Sequence, residues 1–171
     1  MTLRSDEIAT LAALLRKLSR AQPWPSEIYE AYARVGVGIA IEVVCVRRDP
    51  NGWEVFLAKR PSRQQRPHEP YPNQWHSPGT ILRKTDTFNS AFRRLETREL
   101  APAIFRTTPR FIKNAISQDR RGRFLGVIHV AELTGTPRRG AFFPFRRLPK
   151  NLVPHHRSFV LPAARRALEH P

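Results

Sequence analysis

Carboxylates, arginines and a Pro-Gly turn crowd into residues 72–100, PNQWHSPGTILRKTDTFNSAFRRLETREL. Asp86, Glu96 and Glu99 are candidate ligands for Mg²⁺, or Mn²⁺ in its place, because such ions prefer carboxylate and water oxygens. Glu96 and Glu99 stand three apart, so on a helix they share a face and can hold one ion together. Arg94 and Arg98 interleave with them, and Arg60 lies a short way upstream; guanidinium groups grip phosphate oxygens in a two-pronged manner. Gly79 gives the turn its tight backbone. His76, beside Trp75, either contacts a ligand, ligates a metal or acts as a base, or simply hydrogen-bonds the turn. Together these groups suit the cleavage of a phosphoanhydride, in which a metal ion neutralises phosphate charge and helps to activate water. Glu96 and Glu99 are the catalytic candidates.

The elements that must position these groups are legible from periodicity. Apolar residues at helical spacing (Ile8, Leu11, Leu14, Leu15, Leu18) predict a helix over 5–20 with Ser5 as its N-cap. AQPWPSE interrupts it, and Ser26 caps a second short helix. The β-branched run VGVGIAIEVVCVRR predicts a strand, Asp49-Pro50-Asn51-Gly52 a turn, and WEVFLAKR the returning strand of a hairpin. After the proline-rich loop at 61–74 come the WHSPGTILR turn and strand. A helix follows at about 87–100 with Phe88, Ala91, Phe92 and Leu95 on one face, closed by Pro102. FIKNAISQ and RFLGVIHVAEL read as strands joined at Asp119–Gly122, AFFPF as a short extended piece, and Ser158–His170 as a terminal helix. His155 and His156, just before that helix, read as capping or surface residues.

The chain has 171 residues, 40% of them hydrophobic, which is enough for one domain with a core. Its 30 Lys and Arg against 14 Asp and Glu give a net charge of +16. Past residue 100 only Asp119, Glu132 and Glu169 are acidic. Such a surface attracts polyanions, nucleotides and RNA among them, although the basic residues are scattered rather than gathered into one block. The single Cys45 excludes an intrachain disulfide and reads as a buried thiol. No apolar stretch approaches the length of a membrane span, and no signal-peptide pattern opens the chain, so a cytoplasmic setting is expected.

The hairpin ending in FLAKR, the WHSPGT turn, the helix at 87–100 and the tail FFPFRRLPKNLVPHHRSFVLPAARRAL resemble the Nudix superfamily over most of residues 35–168. The family box is GX5EX7REUXEEXGU. Aligned on Pro78-Gly79-Thr80, it puts Asp86 at the first glutamate and Arg94, Leu95 and Glu96 at Arg-Glu-aliphatic. Arg98 and Glu99 then take the acidic pair. Leu95 cannot ligate and Arg98 cannot lose its proton to do so, so the box is degenerate. A one-residue insertion instead makes Glu96 and Glu99 the first two acids, at the expense of Thr97 and Leu100.

The resemblance implies an α/β (α+β) fold, a Nudix-type α/β/α sandwich with a mixed sheet. Residues 1–34 would be a helical extension and 35–171 the Nudix-like domain. It further implies binding of a nucleoside diphosphate linked to another group. Mg²⁺ at Asp86, Glu96 and Glu99 would serve any hydrolysis, while Arg60, His76, Gly79, Arg94 and Arg98 would hold phosphates or substrate. With the box damaged, catalysis is weakened or lost, and the arginines themselves could grip phosphate without a metal. The alternative is a non-catalytic module associated with RNA or the ribosome.

Overall fold

Strand β1 (Val37–Asp49) is apolar along most of its length because it is covered on both faces. Ile41, Val43 and Cys45 point into one apolar cluster, and Val44 and Val46 into the other, as the two-residue period of a strand requires. In the computed structural model, which describes residues 2–20, 24–119 and 121–170, this strand is the centre of a mixed eight-stranded sheet. The Asp49–Gly52 turn closes as its residues dictate: the Asp49 carboxylate accepts the Asn51 backbone N–H at 3.0 Å, and Gly52 takes φ +121°.

β2 (Gly52–Lys59) returns antiparallel to β1, and β7 (Arg123–Thr134) runs parallel to it from Val37↔Arg123 to Val46↔Glu132. β3 (Trp75–His76) and β8 (Ala141–Pro144) pair with β2, β4 (Gly79–Ile81) with β1, and β5 (Ile104–Phe105) and β6 (Arg110–Gln118) with β7. Arg120, in the β6–β7 turn, lies outside the described residues, as do 21–23 in the predicted helix break.

Helix α3 (Phe88–Leu95) covers one face of the sheet. Thr87 caps it: its hydroxyl accepts the Ser90 N–H at 3.2 Å while the Ser90 hydroxyl accepts the Thr87 N–H at 3.0 Å. Ala91, Phe92 and Leu95 are buried, each large side chain contributing about 1.5–3 kcal/mol of apolar burial. Phe88 lies on the same face, its ring against Phe92 and His129 of β7, but at the first residue of the helix it is 47% exposed. The helix continues as one wide π-helical turn, Glu96–Leu100, which buries Leu100. Helix α4 (Leu161–Glu169), entered through a similar wide turn at His156–Val160, covers the other face.

The two N-terminal helices differ. α1 (Ser5–Leu18) buries no residue, and its N-cap is Arg4, whose backbone N–H donates to Glu7, rather than the predicted Ser5. α2 (Ser26–Val35) is locked to the sheet domain: a Cβ on Gly122 in the β6–β7 turn would lie 1.5 Å from the Ala33 carbonyl oxygen. Among the described residues no helix is long and apolar enough to cross a membrane.

Candidate functional site

β1 changes neighbours along its length. β4 pairs with Ala40–Glu42, β2 takes over from Val46, and between them the Val43 N–H donates to the Pro78 carbonyl. A cavity of about 970 Å³ opens at this fork, at the upper end of the roughly 300–1,000 Å³ usual for small-molecule sites. Glu42 pairs across the fork with Gly79 and sends its carboxylate into the cavity. A Cβ on Gly79 would stand 2.6 Å from Glu42 Oε2, so the glycine is needed to leave this oxygen room.

The π-helical turn after α3 carries Glu99 to the same cavity, where the Gly79 backbone N–H hydrogen-bonds it. Glu42 Oε2 and Glu99 Oε2 are both buried without a hydrogen-bond partner. Burial, and then the charge of Glu99, push the Glu42 carboxyl up to about 8. Burial likewise lifts Glu99 to about 7, against the pull of Arg60 and the Gly79 N–H. At neutral pH Glu42 thus keeps its proton and Glu99 is near its midpoint, and a cation between their unpartnered oxygens removes the cost of burying their charge.

Arg60, just past β2, binds Glu69 through its Nε, and the Glu69 side chain is wholly buried. Burial alone would raise Glu69; its hydrogen bond and ion pair with Arg60 outweigh that and lower it. The remaining field of Arg60 acts on the cavity, drawing Glu42 and Glu99 down and opposing protonation of His76, His155 and His156.

His76 Nδ1 lies 2.8 Å from the Ser77 carbonyl and so carries the ring proton; burial, then Arg60, depress the imidazole to about 4. On the other side of Ser77, its backbone N–H donates to His156 Nδ1 at 3.2 Å. That bond places the His156 proton on Nε2, which faces Glu42 Oε2 at 3.9 Å. Glu42, His155 and His156 offer donor atoms within 4.8 Å of one another. Yet His156 presents an N–H there, not a lone pair. The atoms that lack a partner are carboxylate oxygens, the ligand type of Mg²⁺ and Mn²⁺. The donor set fits a hard divalent cation at Glu42 and Glu99.

The fold brings four of the sequence-derived candidates together: Arg60, His76, Gly79 and Glu99 all line this cavity. Four others are elsewhere. Asp86 and Arg94 face each other as a nearly buried ion pair, Arg94 Nη1 and Nη2 donating to the two carboxylate oxygens at 2.8 and 2.6 Å. Arg94 also bonds the Thr80 hydroxyl and the Ile81 carbonyl, so its guanidinium is engaged on protein, and its hydrogen bonds to Asp86 hold that carboxyl down at about 2. Glu96 turns away to accept the Phe105 backbone N–H at 2.8 Å. Arg98 is exposed on the outer side of the wide turn. Of the two possible registers, the ungapped one accounts for these contacts, since it pairs Asp86 with Arg94 and leaves Glu99 as the inward acid.

Sequence reasoning missed Glu42, and with it His155 and His156 as cavity residues. A lone carboxylate inside IAIEVVCV was the available signal, because an acid in a strand buried on both faces demands a reason.

No family model matches the sequence, and no curated protein matches it. Its shape has clear counterparts. The MutT NUDIX hydrolase of Burkholderia pseudomallei superposes with a TM-score of 0.59 at 17% identity, over 75% of this chain and 98% of that one. A mutT/nudix family protein of Listeria innocua gives 0.57 at 19% identity, over 77% and 94%. The NUDIX domain of Shewanella oneidensis NrtR, in a structure with ADP ribose, gives 0.55 at 15%, over 84% and 99%. The fold is that of the Nudix superfamily.

Proposed function

We propose that this Nudix-fold chain binds a nucleoside diphosphate linked to another group, and that its capacity to hydrolyse the phosphoanhydride is weakened. The reading is carried by one observation: Glu42 and Glu99, from different elements, end in unpartnered buried oxygens at the mouth of the sheet fork. There they would hold one Mg²⁺ or Mn²⁺, which when bound neutralises phosphate charge and lowers the pKa of a coordinated water. Arg60, although paired with Glu69, still draws Glu42 and Glu99 down across the cavity, and that remaining field favours the phosphates; the Gly79 turn lets the backbone approach them. Leu95 is in the core and Arg98 points outward, so two of the three box acids have no substitute on the helix. Binding is therefore retained with fewer metal ligands than efficient turnover uses. The complex of one fold neighbour with ADP ribose supports the ligand class.

The test is titration of ADP-ribose into the protein with Mg²⁺ or Mn²⁺, alongside a phosphate-release screen over nucleotide sugars, dinucleoside polyphosphates and capped RNA. Metal-dependent binding with slow release is expected, both reduced at least tenfold by Glu99→Gln. Binding that ignores the metal, or is unchanged in the variant, would contradict the proposal.

A further inference from the structure

The cavity is longer than a pyrophosphate needs. Its far wall is α2 and the β6–β7 turn, which also line it through Tyr29 and Arg121. Three features characterise that end. The Tyr29 hydroxyl is buried with no hydrogen-bond partner. Arg121 is tied to Asp119, its Nε and Nη2 donating to Oδ2 at 3.1 and 2.5 Å, with the Asp119 side chain only 3% exposed. Finally, Glu27 and Glu30 on α2 line the same cavity as Arg83 and Lys84. Among the described residues that line the cavity from α2 and the β6–β7 turn, Glu27, Glu30 and Asp119 are acids and Arg121 is the one base, so that wall has no surplus positive charge.

Resting on the reading above, we infer that this end receives the group attached to the diphosphate, that the group is an uncharged hydrogen-bonding one (a sugar or nucleoside) rather than further phosphate, and that Tyr29 selects it. A third or fourth phosphate would have to be desolvated beside a guanidinium already neutralised by Asp119, with two glutamates on the same wall. A sugar hydroxyl, by contrast, both donates and accepts, and completes the empty valence of the Tyr29 hydroxyl. The close approach of Gly122 to the Ala33 backbone fixes α2, and with it the place from which Tyr29 reaches the cavity, before any ligand arrives.

Affinities of ADP, ATP, ADP-ribose and UDP-glucose are compared in excess Mg²⁺ for the wild-type chain and Tyr29→Phe. At least one sugar conjugate should bind the wild type fivefold or more tighter than ADP and ATP. The variant should lose that advantage while binding ADP unchanged, and should melt no lower than wild type, since only an unpartnered hydroxyl has gone. Equal preference for the conjugates in the variant, tighter ATP binding, or a lowered melting temperature would overturn the inference and leave the diphosphate site standing. If none of the four compounds binds the wild type, the proposed function itself fails and this inference with it.

Discussion

Asp86–Arg94 and Glu42–Glu99 are two carboxylate sites flanking the same β4 turn, and they meet opposite fates. Asp86 has a guanidinium on both oxygens, the Arg83 N–H at 2.8 Å and the Ser90 hydroxyl at 3.2 Å. Glu42 and Glu99 each retain a buried oxygen with no partner, burial raises both, and the charge of Glu99 raises Glu42 further. The first arrangement is complete within the protein: it ties the loop before α3 to the helix itself. The second is incomplete, and its chemistry asks for a cation. Motif letters do not separate the two; the count of donors around each oxygen does.

The saturated pair should give the largest effect on stability. Arg94→Ala leaves Asp86 almost buried and without its cation, and should cost about 2–4 kcal/mol, somewhat under the full penalty because water can enter the space vacated. At roughly 2–4 °C per kcal/mol for a chain of this size, the melting temperature should fall by about 10 °C. A drop of only a degree or two would show that the bracket is not structural.

The starved pair should respond in the opposite direction. The folded protein keeps protons on Glu42 and Glu99 that the unfolded chain gives up near 4.5, so stability from these neutral carboxyls is full below that pH and is lost as pH rises toward about 7 and 8. In metal-free buffer Glu42→Gln should therefore gain on wild type between pH 5.5 and 8.5, by about 5 °C. Thermal melts at the two pH values test this; a constant offset would remove the burial cost from the account. Glu96→Ala belongs to neither pair. It should cost about 1 kcal/mol through the lost Phe105 N–H contact and leave ligand affinity unchanged, which separates Glu96 from Glu99 by isothermal titration.

Much of the fold was legible because periodicity and turn chemistry agree. The β1–β2 hairpin follows from Asp49–Gly52, and α3 from the apolar face that Ala91, Phe92 and Leu95 form. The wide turn at Glu96–Leu100 was not, since local composition does not mark where a helix gains a residue per turn. Yet that turn decides that Glu99 faces in and Glu96 out. Glu42 was hidden for a different reason: its role depends on a strand fork, and pairing of β4 with one half of β1 and β2 with the other is a long-range fact. His155 and His156 look like a loop pair until the wide turn at the start of α4 carries His156 under Ser77, with His155 beside it on the cavity wall.

The central claim is that the two unpartnered acids form a cation site. Manganese titration followed by electron paramagnetic resonance, on the wild-type chain and on the Glu42→Gln/Glu99→Gln double variant, tests it most directly. One bound Mn²⁺ per chain is predicted for the wild type, tightening as pH rises from 6 to 8.5 because both carboxyls must release their protons, and lost in the double variant. The same Mn²⁺ stoichiometry and affinity in both proteins would contradict it.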